Sequence, residues 1–259
     1  MASDRTSQGD PAKTLALLWR NHSEADAAPP RKGPRPRLSV DAVVAAGISL
    51  ADEAGLRAVT MRAVANRLSI SPMSLYTYVP GKGELLDLMV DSLYLAMPRP
   101  ALPPTGQWRE SVRAVADRNR ALLQAHPWVA QVSTSRPPLG PGMMAKYEYE
   151  LGAFDELGLS DVEMDSALTY LLTFVEAAAI AGYEAAGLAG DSGVDDAGWW
   201  AEVAPILERF VTAEAYPLAS RVGTAAGVEQ GAAYDPDRAY AFGVERVLDG
   251  LAALIEERA

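Results

Sequence analysis

Between Thr60 and Lys82 the chain concentrates side chains suited to polar recognition: Thr60 and Arg62, then Ser71, Ser74, Tyr76, Thr77, Tyr78 and Lys82. Hydroxyls, phenols and a guanidinium donate to and accept from base edges and phosphates. None of them stands beside a residue that would make it a nucleophile. The elements that must position them are legible in the same stretch. Thr60 can cap a helix whose apolar positions Met61, Val64, Ala65 and Leu68 follow helical spacing, and Ser71 caps a second helix with Pro72 at its favoured first position. Two caps so close leave only a tight turn, which is the layout of a helix-turn-helix DNA reader. A preceding helix is predicted from its cap Ser39 through Val40 to Ala54, with Gly55 as its stop.

The strings Ala65-Asn-Arg-Leu68, Ser74-Leu-Tyr76, Tyr78-Val79 and Gly81-Lys82, followed by Glu84-Leu-Leu86, resemble the TetR/AcrR family of transcriptional repressors. The resemblance covers residues 38 to 96. It implies a homodimeric, ligand-responsive, all-helical regulator acting on double-stranded operator DNA, as repressor or, on the same scaffold, as activator or ligand buffer. Carried over position by position, it sets Thr60 and Arg62 beside the groove and turns Met73, Ser74, Thr77 and Tyr78 towards bases or sugar-phosphate. Tyr76 and Lys82 then hold the backbone. Arg62 is the candidate for a bidentate guanine contact, and Lys82 adds its charge to a helix N-terminus that already favours phosphate. Tyr76 could instead pack in the small core. Met73 and Thr77 depart from the family's commoner residues, so no operator sequence transfers.

A formal charge of −11 suits a DNA binder only when it is divided along the chain. Residues 31–83 carry eight basic and three acidic side chains, whereas residues 84–259 carry 12 basic and 27 acidic ones. A basic module on an acidic body confines the phosphate footprint to one end. Arg31, Lys32, Arg35 and Arg37, spaced by glycine and prolines, form either an extended arm that reaches the minor groove or phosphates, or a solvated linker. The absence of cysteine removes disulfides, thiolate metal sites and cysteine nucleophiles. The lack of an unbroken apolar stretch long enough to cross a bilayer, and of a leader pattern, predicts a soluble cytoplasmic protein with no membrane partner.

The prolines from Pro98 to Pro104 divide the chain. Residues 1–37 read as a flexible extension carrying the basic arm, with a short helix possible from Thr14 to Arg20. Residues 38–97 read as the helix-turn-helix domain, and residues 98–259 as a helical ligand-binding and dimerisation domain. Helical patterns fall at about 107–125, 127–133, 141–157, 160–186, 196–216 and 236–257, and no strand signature is present. The long helix from Lys82 to Met97 joins the modules. Two apolar stripes, Leu168 to Gly182 and Phe242 to Ile255, face either the monomer core or a second copy, and the resemblance favours the copy.

The resemblance also implies a small-molecule inducer in the second domain. The available material is apolar and aromatic: Trp128, Met143, Tyr147, Phe154, Tyr170, Phe174 and Trp199, with Met144, Tyr183, Trp200 and Phe210 as further candidates. An enzyme finds little support. His22 and His126 are the only histidines, and Gly190-Asp-Ser-Gly193 lacks a base. Asp191, Asp195 and Asp196 lack a metal-ligand spacing, so neither catalytic residues, cofactor nor metal is expected.

Overall fold

Capping side chains decide where the N-terminal helices begin. Asp10 accepts from the backbone N–H groups of Ala12 (3.0 Å) and Lys13 (3.3 Å) at the start of α1 (Pro11–Leu18). Ser39 does the same for Ala42 (3.1 Å) at α2 (Val40–Ala54), and Thr60 for Ala63 (3.1 Å) at α3 (Met61–Arg67). After α4 (Pro72–Leu75) comes α5 (Lys82–Ala96), then α6 (Trp108–Ala125), a 3-10 segment (Pro127–Gln131) and α7 (Pro141–Leu151). The long α8 (Asp161–Ser192), α9 (Asp196–Leu207), α10 (Pro217–Gln230) and α11 (Pro236–Glu256) complete an all-α fold. The computed structural model describes residues 5–7, 9–22, 38–132, 136–192, 194 and 196–256. The four basic residues from Arg31 to Arg37 lie outside them.

Two apolar cores organise these helices. The first gathers Val43, Val64, Leu75, Val79, Leu85 and Met89 of the reader, but also takes Leu18 from α1 and Trp128, Val129 and Val132 from beyond the prolines. The second is built from α6, α8 and α11 around Val115, Leu168, Leu171, Val175, Val244 and Leu248, with Phe154 filling the gap after α7. Sharing Trp128 and Val129 with the first core welds the reader to the larger domain, so their relative movement must disturb apolar packing.

The N-terminal segment departs from the expected flexible extension. The Asp10-Pro11 cap starts its helix earlier than Thr14, and Leu18 is 3% exposed. Trp19 Nε1 donates to the Leu139 carbonyl (2.8 Å), Arg20 pairs with Asp41 of α2, and the Ser7 N–H donates to Asp87 of α5 (2.8 Å). This strap crosses from α2 to the segment before α7.

Other boundaries also moved. α7 stops at Leu151, and the chain then passes through Glu156 (φ 59°) and Gly158 (φ 76°), both left-handed. α9 carries Pro205 and ends at Leu207, and α10 forms where no helix was predicted. α10 has small residues in place of an apolar stripe. At Gly227 a Cβ would lie 2.8 Å from the Trp200 ring, so glycine allows α10 to approach that ring closely.

The two apolar stripes divide between the inside and the surface of one chain. Leu168, Leu171 and Val175 of α8 and Val247, Leu248 and Leu251 of α11 are buried within one chain, while Phe242 is 63% exposed. α8 is long and apolar enough, by length and composition, to cross a bilayer. One face of it packs against α6 and α11.

Candidate DNA-reading surface and ligand cavity

The turn between α3 and α4 is closed by main-chain bonds. Ser69 takes a left-handed conformation (φ 55°), its N–H donates to Asn66 O (3.0 Å), and the Ile70 N–H donates to Ala65 O (3.0 Å). This is the double hydrogen bond of a Schellman stop, made with serine where glycine is usual. Ser71 Oγ then accepts from the Ser74 N–H (3.1 Å) and α4 begins.

Leu75 and Val79, both fully buried, pin α4 to the first core and thereby fix which residues face out. Met73 is 76% and Tyr76 46% exposed, with Ser74 and Thr77 beside them. The Thr77 hydroxyl donates to Ser74 O (2.6 Å), leaving its lone pairs as acceptors. Thr60 and Arg62 are exposed at the start of α3. Tyr78 is half-buried against the core, and Lys82 is half-buried in the first turn of α5. Tyr76 is thus on the surface and Tyr78 is the phenol that packs. Arg67 binds Ser49 and Glu53 of α2, and this arginine holds the Glu53 carboxyl down to about 2. Its charge is committed to joining α3 to α2.

A cavity of about 290 Å³ lies between α5, α6, the 3-10 segment, α7 and α8. Leu122, Leu172, Val129 and Met143 make its apolar walls, and Asn119, Lys146, Thr173 and Glu176 its polar ones. Lys146 Nζ bonds Glu150 (2.6 Å), whose other oxygen accepts from Asn119 Nδ2 (2.5 Å), and the ammonium also lies 5.2 Å from the Tyr94 ring centre. Both ends of this ion pair are buried. Burial, with Glu150, Glu176 and Asp91 nearby, pushes the Tyr94 hydroxyl well above its ordinary range, so it stays a neutral donor.

Two hydrogen-bonded joints tie the cavity walls to the reader. Asp91 of α5 accepts from the N–H groups of Gly142 (3.2 Å) and Met143 (2.8 Å), capping α7 at the residue that lines the cavity. Gly140 and Gly142 are required there, because a Cβ on Gly142 would lie 1.9 Å from the Asp91 carbonyl oxygen. In the 3-10 segment Val129 lines the cavity, while the adjacent Trp128 donates through Nε1 to Asp52 of α2 (2.7 Å). His126 Nδ1 lies 2.8 Å from the same carboxylate.

Of the apolar and aromatic set read from the sequence, Met143 lines this cavity and the others lie elsewhere. Trp128 belongs to the joint with α2, and Phe154 is sealed in the second core. Tyr147 reaches outward to Asp165 (2.7 Å), Tyr170 is 59% exposed, and Phe174 stacks on Tyr240 at 6.0 Å. Trp199 is half exposed on Trp200, which lines a larger cleft of about 530 Å³ between α9 and α10. That cleft contacts neither α5 nor α2. The polar lining was missed because Lys146 and Glu150 look like an ordinary surface pair. Glu176 did carry a signal: it is the only charged residue between Asp165 and Glu184.

Residues 43–89 match the model of bacterial regulatory proteins of the tetR family, and residues 99–255 match the tetracyclin repressor-like C-terminal domain. The HTH-type transcriptional repressor DrrR1 of Streptomyces coeruleorubidus is 37% identical over 99% of this chain and 91% of its own length. Apo ActR of Streptomyces coelicolor superposes with a TM-score of 0.70 at 29% identity, over 87% of this chain and 100% of that one. The complex of ActR with actinorhodin gives 0.66 at 28% identity, over 84% and 96% of the two chains.

Proposed function

The chain belongs to the TetR family of ligand-responsive transcriptional repressors, and on that premise we propose that it binds its operator as a homodimer through Arg62, Met73, Ser74, Tyr76 and Thr77 and is released when a small molecule fills the cavity beside Lys146 and Glu176. The family is one of regulators rather than enzymes, and such a regulator works in the cytoplasm. The observation that carries the reading is the pair of joints described above. Met143 and Val129 line the cavity, while Asp91 and Asp52 bind that residue or its neighbour from the reader helices α5 and α2.

Two readers on one duplex must sit about 34 to 36 Å apart to enter successive major grooves. A ligand that spreads α7 and the 3-10 segment from α8 shifts α5 and α2 with them, and the operator-competent spacing is lost. By linkage the same ligand binds more weakly while DNA is bound. ActR binds actinorhodin, which supports a small-molecule inducer, held here by the Leu122, Leu172 and Val129 walls. Tyr78 adds rigidity rather than base contact. The exposed Tyr170 and Phe242, with the open α9–α10 cleft, supply the apolar face that a second copy covers.

Fluorescence anisotropy with the DNA immediately upstream of the chain's own gene tests this over a salt series. Preferential binding over scrambled DNA, weakening steeply with salt, is expected; equal and feeble binding to both overturns the reading for that operator.

A further inference from the structure

We propose that the cavity between α5, α6, α7 and α8 is an amine site: it takes an aromatic or otherwise apolar molecule bearing a protonated nitrogen, and the Glu176 carboxylate anchors that nitrogen. The inference rests on the cavity being the sensor's ligand site and adds the charge that the ligand carries.

The charges lining the cavity do not balance. Lys146 is neutralised by Glu150 at 2.6 Å, and Asn119 completes that carboxylate's shell at 2.5 Å. Glu176 enters the same cavity half-buried, and among the described residues it has neither a hydrogen bond nor an ion pair. One turn earlier on α8, Thr173 spends its hydroxyl proton on Thr169 O (2.8 Å), so it does not donate to Glu176 while that bond stands. Tyr94, facing from α5, feels the negative field of Glu150, Glu176 and Asp91 together. The Glu176 carboxyl is itself pushed up by burial, with no cation offsetting it.

A carboxylate half withdrawn from water without a partner bears part of the cost of burying a charge. A protonated amine entering the cavity supplies the missing donor and the missing charge, in a place where the ion pair is screened less than at the surface. A carboxylate ligand would meet the same uncompensated charge and be repelled. The apolar walls meanwhile accept a flat ring, so the amine and the hydrophobic body are recognised by different sides of one cavity.

Three probes of nearly equal shape separate these contributions: 1-naphthylmethylamine, 1-naphthylmethanol and 1-naphthoate, titrated calorimetrically into the full chain. The amine is expected to bind about tenfold more tightly than the alcohol, the gain of one charge-assisted hydrogen bond, and naphthoate most weakly. Glu176→Gln should erase the amine's advantage and leave the alcohol's affinity unchanged, with a melting temperature no lower than that of the natural chain, since the substitution removes a carboxylate that burial disfavours; Glu176→Asp should keep part of it. Equal binding of amine and alcohol to the natural chain, or an advantage that survives Glu176→Gln, overturns the amine site. In the operator assay, equal binding of the two with release of DNA by both would overturn charge selection and leave the sensor reading intact. Glu176-dependent binding that never releases DNA would support the amine site and overturn the sensor reading.

Discussion

The reader and the cavity use polar groups in opposite ways. On α3 and α4 the hydroxyls of Thr60, Ser71 and Thr77 bond to main-chain atoms within three residues and stay exposed, so they define local shape and still face a duplex. In the cavity, Asn119, Lys146 and Glu150 come from different turns or helices and satisfy one another out of water. A surface built by local bonds tolerates loss of a contacting side chain. A buried network does not, because removing one member strands the others.

The largest contrast follows from Lys146. Lys146→Met should cost about 3 to 5 kcal/mol in urea unfolding, since it leaves Glu150 charged and buried beside Asn119, whereas Lys146→Met with Glu150→Met should recover most of the loss. Failure of the double change to recover stability would place the cost in packing rather than in charge.

Asp87 of α5 carries the contrast into pH. It is fully buried under the strap with one Ser7 N–H bond, and burial, reinforced by Glu84 and Asp91, raises its carboxyl to about 6. A carboxyl whose folded value lies above its unfolded one binds its proton more tightly in the native state, so its burial penalty is absent near pH 4 and grows as pH rises towards 6. Asp87→Asn should therefore raise stability by about 2 kcal/mol at pH 7.5 and by much less at pH 4.5, read from melting curves at each pH. An equal gain at both values would remove the titration from the explanation.

On the reader, Arg62→Ala should weaken operator binding by about 1 to 3 kcal/mol and relax specificity at one position, with no change in melting temperature. The smallest effect belongs to Ser69. With φ at 55°, Ser69→Gly should stabilise the turn by up to about 1 kcal/mol in thermal unfolding, and a loss would mean that the side chain has a role beyond the turn.

This contrast also explains what could be read from the sequence. Ser39, Thr60, Ser71 and Pro72 act on N–H groups two or three residues away, so the boundaries of α2, α3 and α4 were legible. The start of α1 was placed three residues late, at Thr14 in place of Pro11, and the docking of that helix depends on Leu139, Asp41 and Asp87 far along the chain. The cavity was not legible because its lining is drawn from residues 94 to 176, and which face of α6, α7 and α8 turns inward is decided by packing. An aromatic residue is the obvious candidate for a ligand wall, yet Phe154 and Trp128 are better used filling cores. The stripes on α8 and α11 were visible, but periodicity alone does not say whether a chain's own helices or a copy's will cover them.

Because the chain contains no cysteine, a single thiol introduced at the exposed Arg57 can carry a spin label on each protomer of the dimer. The distance between the two labels, measured free, on operator and with a compound that releases the operator, tests whether filling the cavity moves the readers. The account predicts one narrow distance on DNA and a displaced one with the compound, with Trp128→Phe shrinking the displacement by cutting the bond to Asp52. Release of the operator with the label distance unchanged would contradict it.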